Sequence, residues 1–309
     1  MQPAAIMNSR ARVCLLPDRG VLRVAGAGAE KLLQGLVTND LGLLAGQAAI
    51  HAGLLSPQGK ILFEFFIVKS DAKADGTLLL DVARDPGPGL AKRLTMYKLR
   101  ADVTITDVSD QFVVLALWGE NASSPGETNG TVSFADPRHR DMGLRILADA
   151  KFATDIASAT NGFDASPQDY AAHRIALGVP EGGRDFDFGD AYPHEANFDL
   201  MGGVSFTKGC YVGQEIVARM QHKTVIRKRV VPISGLEALP SDRPDITANG
   251  LSIGKLGSVA GNAGLAMLRL DRAAEFTDKG VALMAGAVLV TLAPTPWLAT
   301  LDADPAPGE

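Results

Sequence analysis

One octapeptide concentrates the chemistry of this chain: Lys208-Gly209-Cys210-Tyr211-Val212-Gly213-Gln214-Glu215. Two glycines and a lysine surround a cysteine just ahead of residues 213–222, whose pattern predicts a short helix. Glycine admits positive φ and lets a backbone approach a ligand closely. A helix start offers unpaired N–H groups and the positive end of the dipole. A thiol placed there, with an ammonium nearby, is expected to ionise more readily than a free cysteine and to act as nucleophile or ligand. The competing reading is a buried, inert packing cysteine. The second cysteine, Cys14, sits beside Leu15 and Leu16 with no adjacent glycine or helix start, which predicts packing.

Two cysteines exclude a disulfide framework and a self-sufficient four-cysteine metal or cluster site. The five histidines, His51, His139, His173, His194 and His222, show no zinc-like pair with a third ligand, so no protein-held metal is expected. The net charge of -5 gives no global case for nucleic acid. No apolar run reaches the roughly 18 residues of a membrane span, and the N-terminus lacks the apolar core of a signal peptide. The expected location is reducing cytoplasm, with no membrane and no direct nucleic-acid partner.

Residues 208–229 hold six Lys or Arg against one acid, Glu215. That cluster suits an anionic tail or an acidic partner. It equally suits a strand edge on which Arg227, Lys228 and Arg229 block aggregation. RNA is disfavoured there, because no stacking aromatics are interleaved.

The elements that must position these residues follow from pattern. Residues 12–16 and 21–25 flank Pro17-Asp18-Arg19-Gly20 and read as a hairpin. Residues 29–37 read as a helix; 47–55 and 61–68 read as a hairpin across Ser56-Pro57-Gln58-Gly59. Residues 77–83, 103–108, 112–118 and 143–147 read as strands, and 89–99 as a helix with Leu90, Leu94 and Tyr97 inward. Residues 121–130 read as a polar loop. Ser166-Pro167-Gln168-Asp169 starts a helix that ends near Gly178. Residues 181–203 form a long glycine-rich connection of the kind that often carries function. Short strands follow from 225, including a buried pair over 281–293, and the tail 301–309 reads as disordered. The mix predicts an α+β chain: an α+β region over 1–224 and a small all-β domain over 225–300.

The octapeptide, followed by Ile216-Val217-Ala218-Arg219-Met220, resembles the signature of the YgfZ family of folate-binding proteins, relatives of the T-protein of the glycine cleavage system. Leu33-Gln34-Gly35-Leu36-Val37-Thr38-Asn39-Asp40, Ser56-Pro57-Gln58-Gly59-Lys60, Met96-Tyr97-Lys98-Leu99-Arg100 and Arg174-Ile175-Ala176-Leu177-Gly178-Val179-Pro180 agree with it in order. The resemblance implies a ring of three subdomains, two of them interleaved in 1–224, with a folate channel and a C-terminal antiparallel β-barrel. It implies a tetrahydrofolate-binding protein that assists assembly, insertion or repair of iron–sulfur clusters in client enzymes, tRNA-modifying enzymes among them. In that role Cys210 is the reactive centre with Lys208 beside it.

Glu195, in Pro193-His194-Glu195-Ala196-Asn197, resembles the pterin-pairing glutamate of T-protein relatives. The same resemblance nominates Glu64, Arg174, Gln214, Glu215 and Arg219 as residues bordering the cofactor; Asn39 and Asp40, which follow a helix, either cap the turn or line the channel. Tyr97 is either a wall of the pocket or a core residue of its helix. Two other readings stand beside this one. The first is a T-protein-like aminomethyltransferase; where those enzymes carry an Asp-Asp pair, this chain has Phe63 and Glu64, and an apolar ring cannot take up a proton. The second is a folate-binding scaffold in which Cys210 is dispensable.

Overall fold

A computed structural model describes residues 10–69, 76–124, 131–160, 162–223 and 225–293. In chain order the strands are β1 Arg12–Leu15, β2 Arg19–Ala25, β3 Ala49–Leu55, β4 Ile61–Lys69, β5 Leu78–Ala83, β6 Thr104–Asp107, β7 Phe112–Trp118, β8 Val132–Ala135, β9 Leu144–Asp149, β10 Phe163–Asp164, β11 Lys228–Gly235, β12 Asp245–Ala248, β13 Leu251–Ala260, β14 Ala263–Arg269, β15 Leu283–Ala285 and β16 Val288–Leu292. The helices are α1 Ala29–Gln34, α2 Gly87–Lys98, α3 Ala153–Ala159, α4 Pro167–Ala176, α5 Gln214–Lys223 and α6 Leu270–Asp278. The content is α+β, as expected.

The strands make two five-stranded sheets and a closed barrel. One sheet has the order β10-β1-β7-β9-β8 and the other β3-β4-β5-β2-β6. The second sheet is contiguous in sequence and is inserted between β1 and β7 of the first. The barrel, β11-β14-β13-β12-β15-β16, is antiparallel throughout.

Most elements fall where their patterns place them. The hairpin of β3 and β4 closes through Ser56, with Gly59 N–H donating to the Ser56 carbonyl at 2.8 Å. Helix α4 opens on a full capping box: the Ser166 hydroxyl accepts from the Asp169 N–H and the Asp169 carboxylate accepts from the Ser166 N–H. Strand β4 alternates. Phe65 and Ile67 enter a core with Leu33 and Leu90, while Phe66 and Val68 enter a second core with Trp118 and Phe198. That second core lies between the sheets and is where Glu64 also points.

Three expectations change. The region from 225 is not all-β: it carries a helix, α6, between β14 and β15. The segments 12–16 and 21–25 do not pair. The turn does reverse the chain, with Arg19 N–H donating to Leu16 O at 3.2 Å. But β1 pairs with β7 and β10, and β2 pairs with β5 and β6. Arg19 is drawn to Asp81 on β5, Nε to Oδ1 at 2.7 Å, so the turn hands the chain from one sheet to the other. Residues 281–293 are only half buried: Leu283 and Val290 face the barrel interior, and Leu289 and Leu292 are exposed. The tail 301–309 and residues 125–130 of the polar loop lie outside the described residues.

Candidate functional site

The octapeptide lies against the β3–β4 turn. Gly213 has φ of 83°, and a Cβ there would come within 2.5 Å of the Ser56 carbonyl oxygen. Only glycine meets both conditions. Helix α5 then starts at Gln214, whose Oε1 accepts the Tyr211 N–H at 2.9 Å. Gln214 therefore braces the loop ahead of its helix through this oxygen. Cys210 stands in that loop and is exposed. Cys14 is buried on β1, where its thiol donates to the Leu15 carbonyl at 3.1 Å. Burial, with the Asp169 and Asp18 charges adding to it, pushes the Cys14 thiol up to about 11. The two thiols are thus chemically distinct, and only Cys210 meets solvent.

Lys208 turns its ammonium to the backbone. Its Nζ donates to three backbone carbonyls, Gln34 at 2.8 Å, Val37 at 2.8 Å and Asn39 at 2.7 Å. An ammonium has three protons, and all three are used. The side chain ties the octapeptide to the C-terminal end of α1, where unpaired carbonyls attract a cation. Burial pulls this ammonium down to about 8, against the opposing Asp40 charge.

Glu64 sits deep in the inter-sheet core. Its Oε1 accepts from His51 Nε2 at 2.9 Å and its Oε2 from the Gly182 N–H at 2.8 Å. Burial raises this carboxyl, but the His51 hydrogen bond and charge, the Arg138 charge and the Gly182 N–H outweigh it and hold it at about 2. His51 is wholly buried, its ring tilted against that of Phe198 at 4.5 Å between centroids, and its Nδ1 has no hydrogen-bond partner among the described residues. A Cβ on Gly203 would lie 2.7 Å from that Nδ1, so the ring is walled in by backbone. Phe63 points to the opposite face and meets α2 at Gly89.

The remaining candidates are dispersed. Asn39 is buried and donates to the His51 and Gly202 carbonyls at 2.8 and 2.7 Å. Asp40 caps the 3-10 turn after α1 through the Gly42 N–H and takes a hydrogen bond from Gln34. Arg174 is buried between α4, the long loop and the barrel, bonded to the Val179 carbonyl and Asp185 at 2.6 Å each and to Ser258 at 2.7 Å. Tyr97 is half-buried, packed on the α1–α2 core and bordering a groove with Leu32 and Leu36. Glu215 and Arg219 are exposed on α5. Glu195 is half-buried; one oxygen accepts the Tyr192 N–H at 2.9 Å, and the other has no partner among the described residues. The structure joins Lys208, Asn39 and Asp40 in one knot, but it separates Glu64, Glu195 and Arg174 into three environments.

Three of the six basic residues of 208–229 are likewise engaged, while Arg219 and Arg227 are exposed. Lys208 is consumed as described, Arg229 is buried in a two-point pair with Asp199 at 2.9 and 2.7 Å, and Lys228 lies 3.5 Å from Asp190. Sequence reasoning missed the hub of His51, Asp81, Arg138 and Arg145. The signal was a single ionisable residue inside an apolar strand: His51 in β3, Asp81 in β5, Arg145 in β9. A buried charge in such a run needs a partner on a neighbouring strand.

Comparison with known proteins places this architecture. Residues 227–300 match the model of the CAF17 C-terminal beta-barrel domain. The aminomethyltransferase T of the glycine cleavage system from Bartonella henselae superposes with a TM-score of 0.75 at 14% identity, over 94% of this chain and 87% of that one, and so shares the fold. The mitochondrial iron–sulfur cluster assembly factor IBA57 of Homo sapiens is 36% identical, covering 82% of this chain and 76% of its own length. The IBA57 homolog of Mycosarcoma maydis is 35% identical, covering 89% and 78%. At that identity and coverage, the chain belongs to the IBA57 family of iron–sulfur cluster assembly factors.

Proposed function

We propose that this chain assists iron–sulfur cluster assembly by presenting the Cys210 thiolate as one ligand of a cluster shared with a second protein. The observation that carries the reading is the contrast between the two thiols. Cys14 is buried and hard to ionise, whereas Cys210 is exposed on a loop braced by Lys208, Gly213 and Gln214. One thiolate cannot complete the coordination of a cluster, so the partner, an assembly protein or a client enzyme, supplies the other ligands. Clients of this kind include cluster-dependent tRNA-modifying enzymes, and the compartment is reducing cytoplasm, where unpaired thiols persist. The names of the relatives place those proteins in mitochondria. In a strain lacking the chain, Cys14→Ser is expected to restore iron–sulfur enzyme activity and Cys210→Ser is expected not to. Full rescue by Cys210→Ser would leave the scaffold reading in its place.

Tetrahydrofolate belongs to the same reading as the molecule's small-molecule partner. Glu195 fits the pterin edge, because one of its half-buried carboxylate oxygens remains unpaired. Asn39 and Glu64 do not fit, since their polar atoms are spent inside the protein, and Arg174 is committed to Val179, Asp185 and Ser258. When bound, the folate would supply a reduced pterin carrying a one-carbon position. Calorimetry with tetrahydrofolate tests this: saturable heat is expected, and loss of that heat in Glu195→Ala assigns the contact.

The aminomethyltransferase reading draws on the shared fold alone. A carboxylate held at about 2, with both oxygens hydrogen-bonded, is a poor proton acceptor near neutral pH, and Phe63 faces away from it. No transfer of the one-carbon group from an aminomethylated carrier to tetrahydrofolate is expected.

A further inference from the structure

Beneath the β1–β2 turn lies a polar cavity of about 170 Å3 that none of the functions above uses. Five guanidiniums line it: Arg19, Arg138, Arg145, Arg174 and Arg184. Tyr170 and the first turn of α4, at Gln168, complete the wall. We propose that this cavity binds a small dianionic oxyanion.

The argument starts from the charge inventory. Three carboxylates lie behind the arginines and are nearly or fully buried. Asp81 pairs with Arg19 and Arg145 at 2.7 Å each, Asp136 with Arg138 at 2.7 Å, and Asp185 with Arg174 at 2.6 Å. Glu64, hydrogen-bonded to His51, stands behind Arg138 as a fourth buried carboxylate, so five cations against four inner anions leave an excess of one. Only Asp18 and Glu181, on the rim, answer it; their side chains are 48% and 22% exposed, and both pair with Arg184 at 2.7 and 3.2 Å. An incoming dianion replaces two loosely held rim carboxylates as the counter-charge and need not compete with the four inner ones.

Unused hydrogen-bond donors make the second observation. Arg145 has a side chain only 3% exposed, and its Nη2 has no hydrogen-bond partner among the described residues. Arg174 Nε is also without a hydrogen bond, reaching Glu181 only at 3.6 Å. The Tyr170 oxygen already accepts from Arg145 Nη1 at 3.0 Å and Arg138 Nη2 at 3.4 Å, and its own proton has no acceptor among the described residues. Buried donors left unsatisfied are costly, and an oxyanion offers acceptors in several directions at once. Guanidinium forks suit phosphate and carboxylate oxygens. The volume admits an anion of the size of phosphate or a short dicarboxylate and is small for a drug-sized ligand, which takes roughly 300–1,000 Å3.

The test is calorimetry on the full chain with inorganic phosphate and with malonate, each against sodium chloride at matched ionic strength. One saturable site is expected for at least one anion; the better binder tells a phosphate site from a dicarboxylate site. Tyr170→Phe keeps the ring and removes the unused proton, and it is expected to weaken binding at least fivefold. Arg184→Ala at the rim, outside the buried hub, is expected to weaken it similarly while the protein stays folded by circular dichroism. No saturable heat beyond the chloride control, or equal affinity in both variants and the unaltered chain, overturns the proposal.

Discussion

At Cys210 and Cys14 the same functional group has two reactivities, set by solvent and neighbours. With limiting iodoacetamide near pH 8, one equivalent of label per chain is expected, on Cys210. Cys14 should label only on unfolding, because its thiol is buried and raised to about 11. Peptide mapping reads the site, and comparable labelling of Cys14 in the native protein contradicts the assignment. Glu64 and Asp136 carry a second residue-scale consequence. Both are held at about 2 in the fold, against ordinary values of 4.5 and 3.8. For Asp136, burial raises the carboxyl and the Arg138 and Arg145 charges outweigh it. A carboxyl depressed in the fold stabilises it above its unfolded pKa, and that contribution is lost as pH falls towards the folded value. Stability should therefore drop between about pH 4.5 and pH 2, by on the order of 2–3 kcal/mol per group. Denaturant midpoints across that range measure it, and Glu64→Gln should make the drop shallower.

Among the elements, α5 and the loop before it were legible because their signals are local: a glycine pair, a helix-forming run, a turn with proline and glycine. The partner of Lys208 was not legible. Nothing near it in sequence says that the last carbonyls of α1 will come within 2.8 Å. The same limit explains the misread hairpin. Residues 17–20 announce a reversal, but which strands β1 and β2 then join depends on β7, β5 and β6, far along the chain. The faces of β4 were not legible from its nearly continuous apolar run, and the pairing of Glu64 with His51 depends on the register of β3 against β4. Lys208→Met tests the tie between elements. It removes three charge-assisted bonds and should cost about 2–3 kcal/mol in chemical denaturation. Faster proteolysis around residues 205–213 should accompany it, with the two sheets intact. An unchanged midpoint and cleavage pattern would show that the loop holds without it.

Across the whole molecule, Arg174 joins three parts: it leaves α4, grips Asp185 in the long loop and reaches Ser258 on β13 of the barrel. Arg174→Ala leaves Asp185 buried without its main cation and should cost about 3–5 kcal/mol. Because the barrel is clamped through this residue, a single thermal transition in the unaltered chain is expected to split into two in the variant; calorimetric scans separate the cases. The nesting of one sheet inside the other has a consequence for biosynthesis. As the chain leaves the ribosome, β1 emerges first, yet β7 and β10, its partners, come only after the entire inserted sheet. The inserted sheet can close as soon as β6 is out, while β1, an apolar strand carrying Cys14, waits unpaired. During synthesis Cys14 is therefore the thiol open to oxidants, and the order of exposure is the reverse of that in the finished protein.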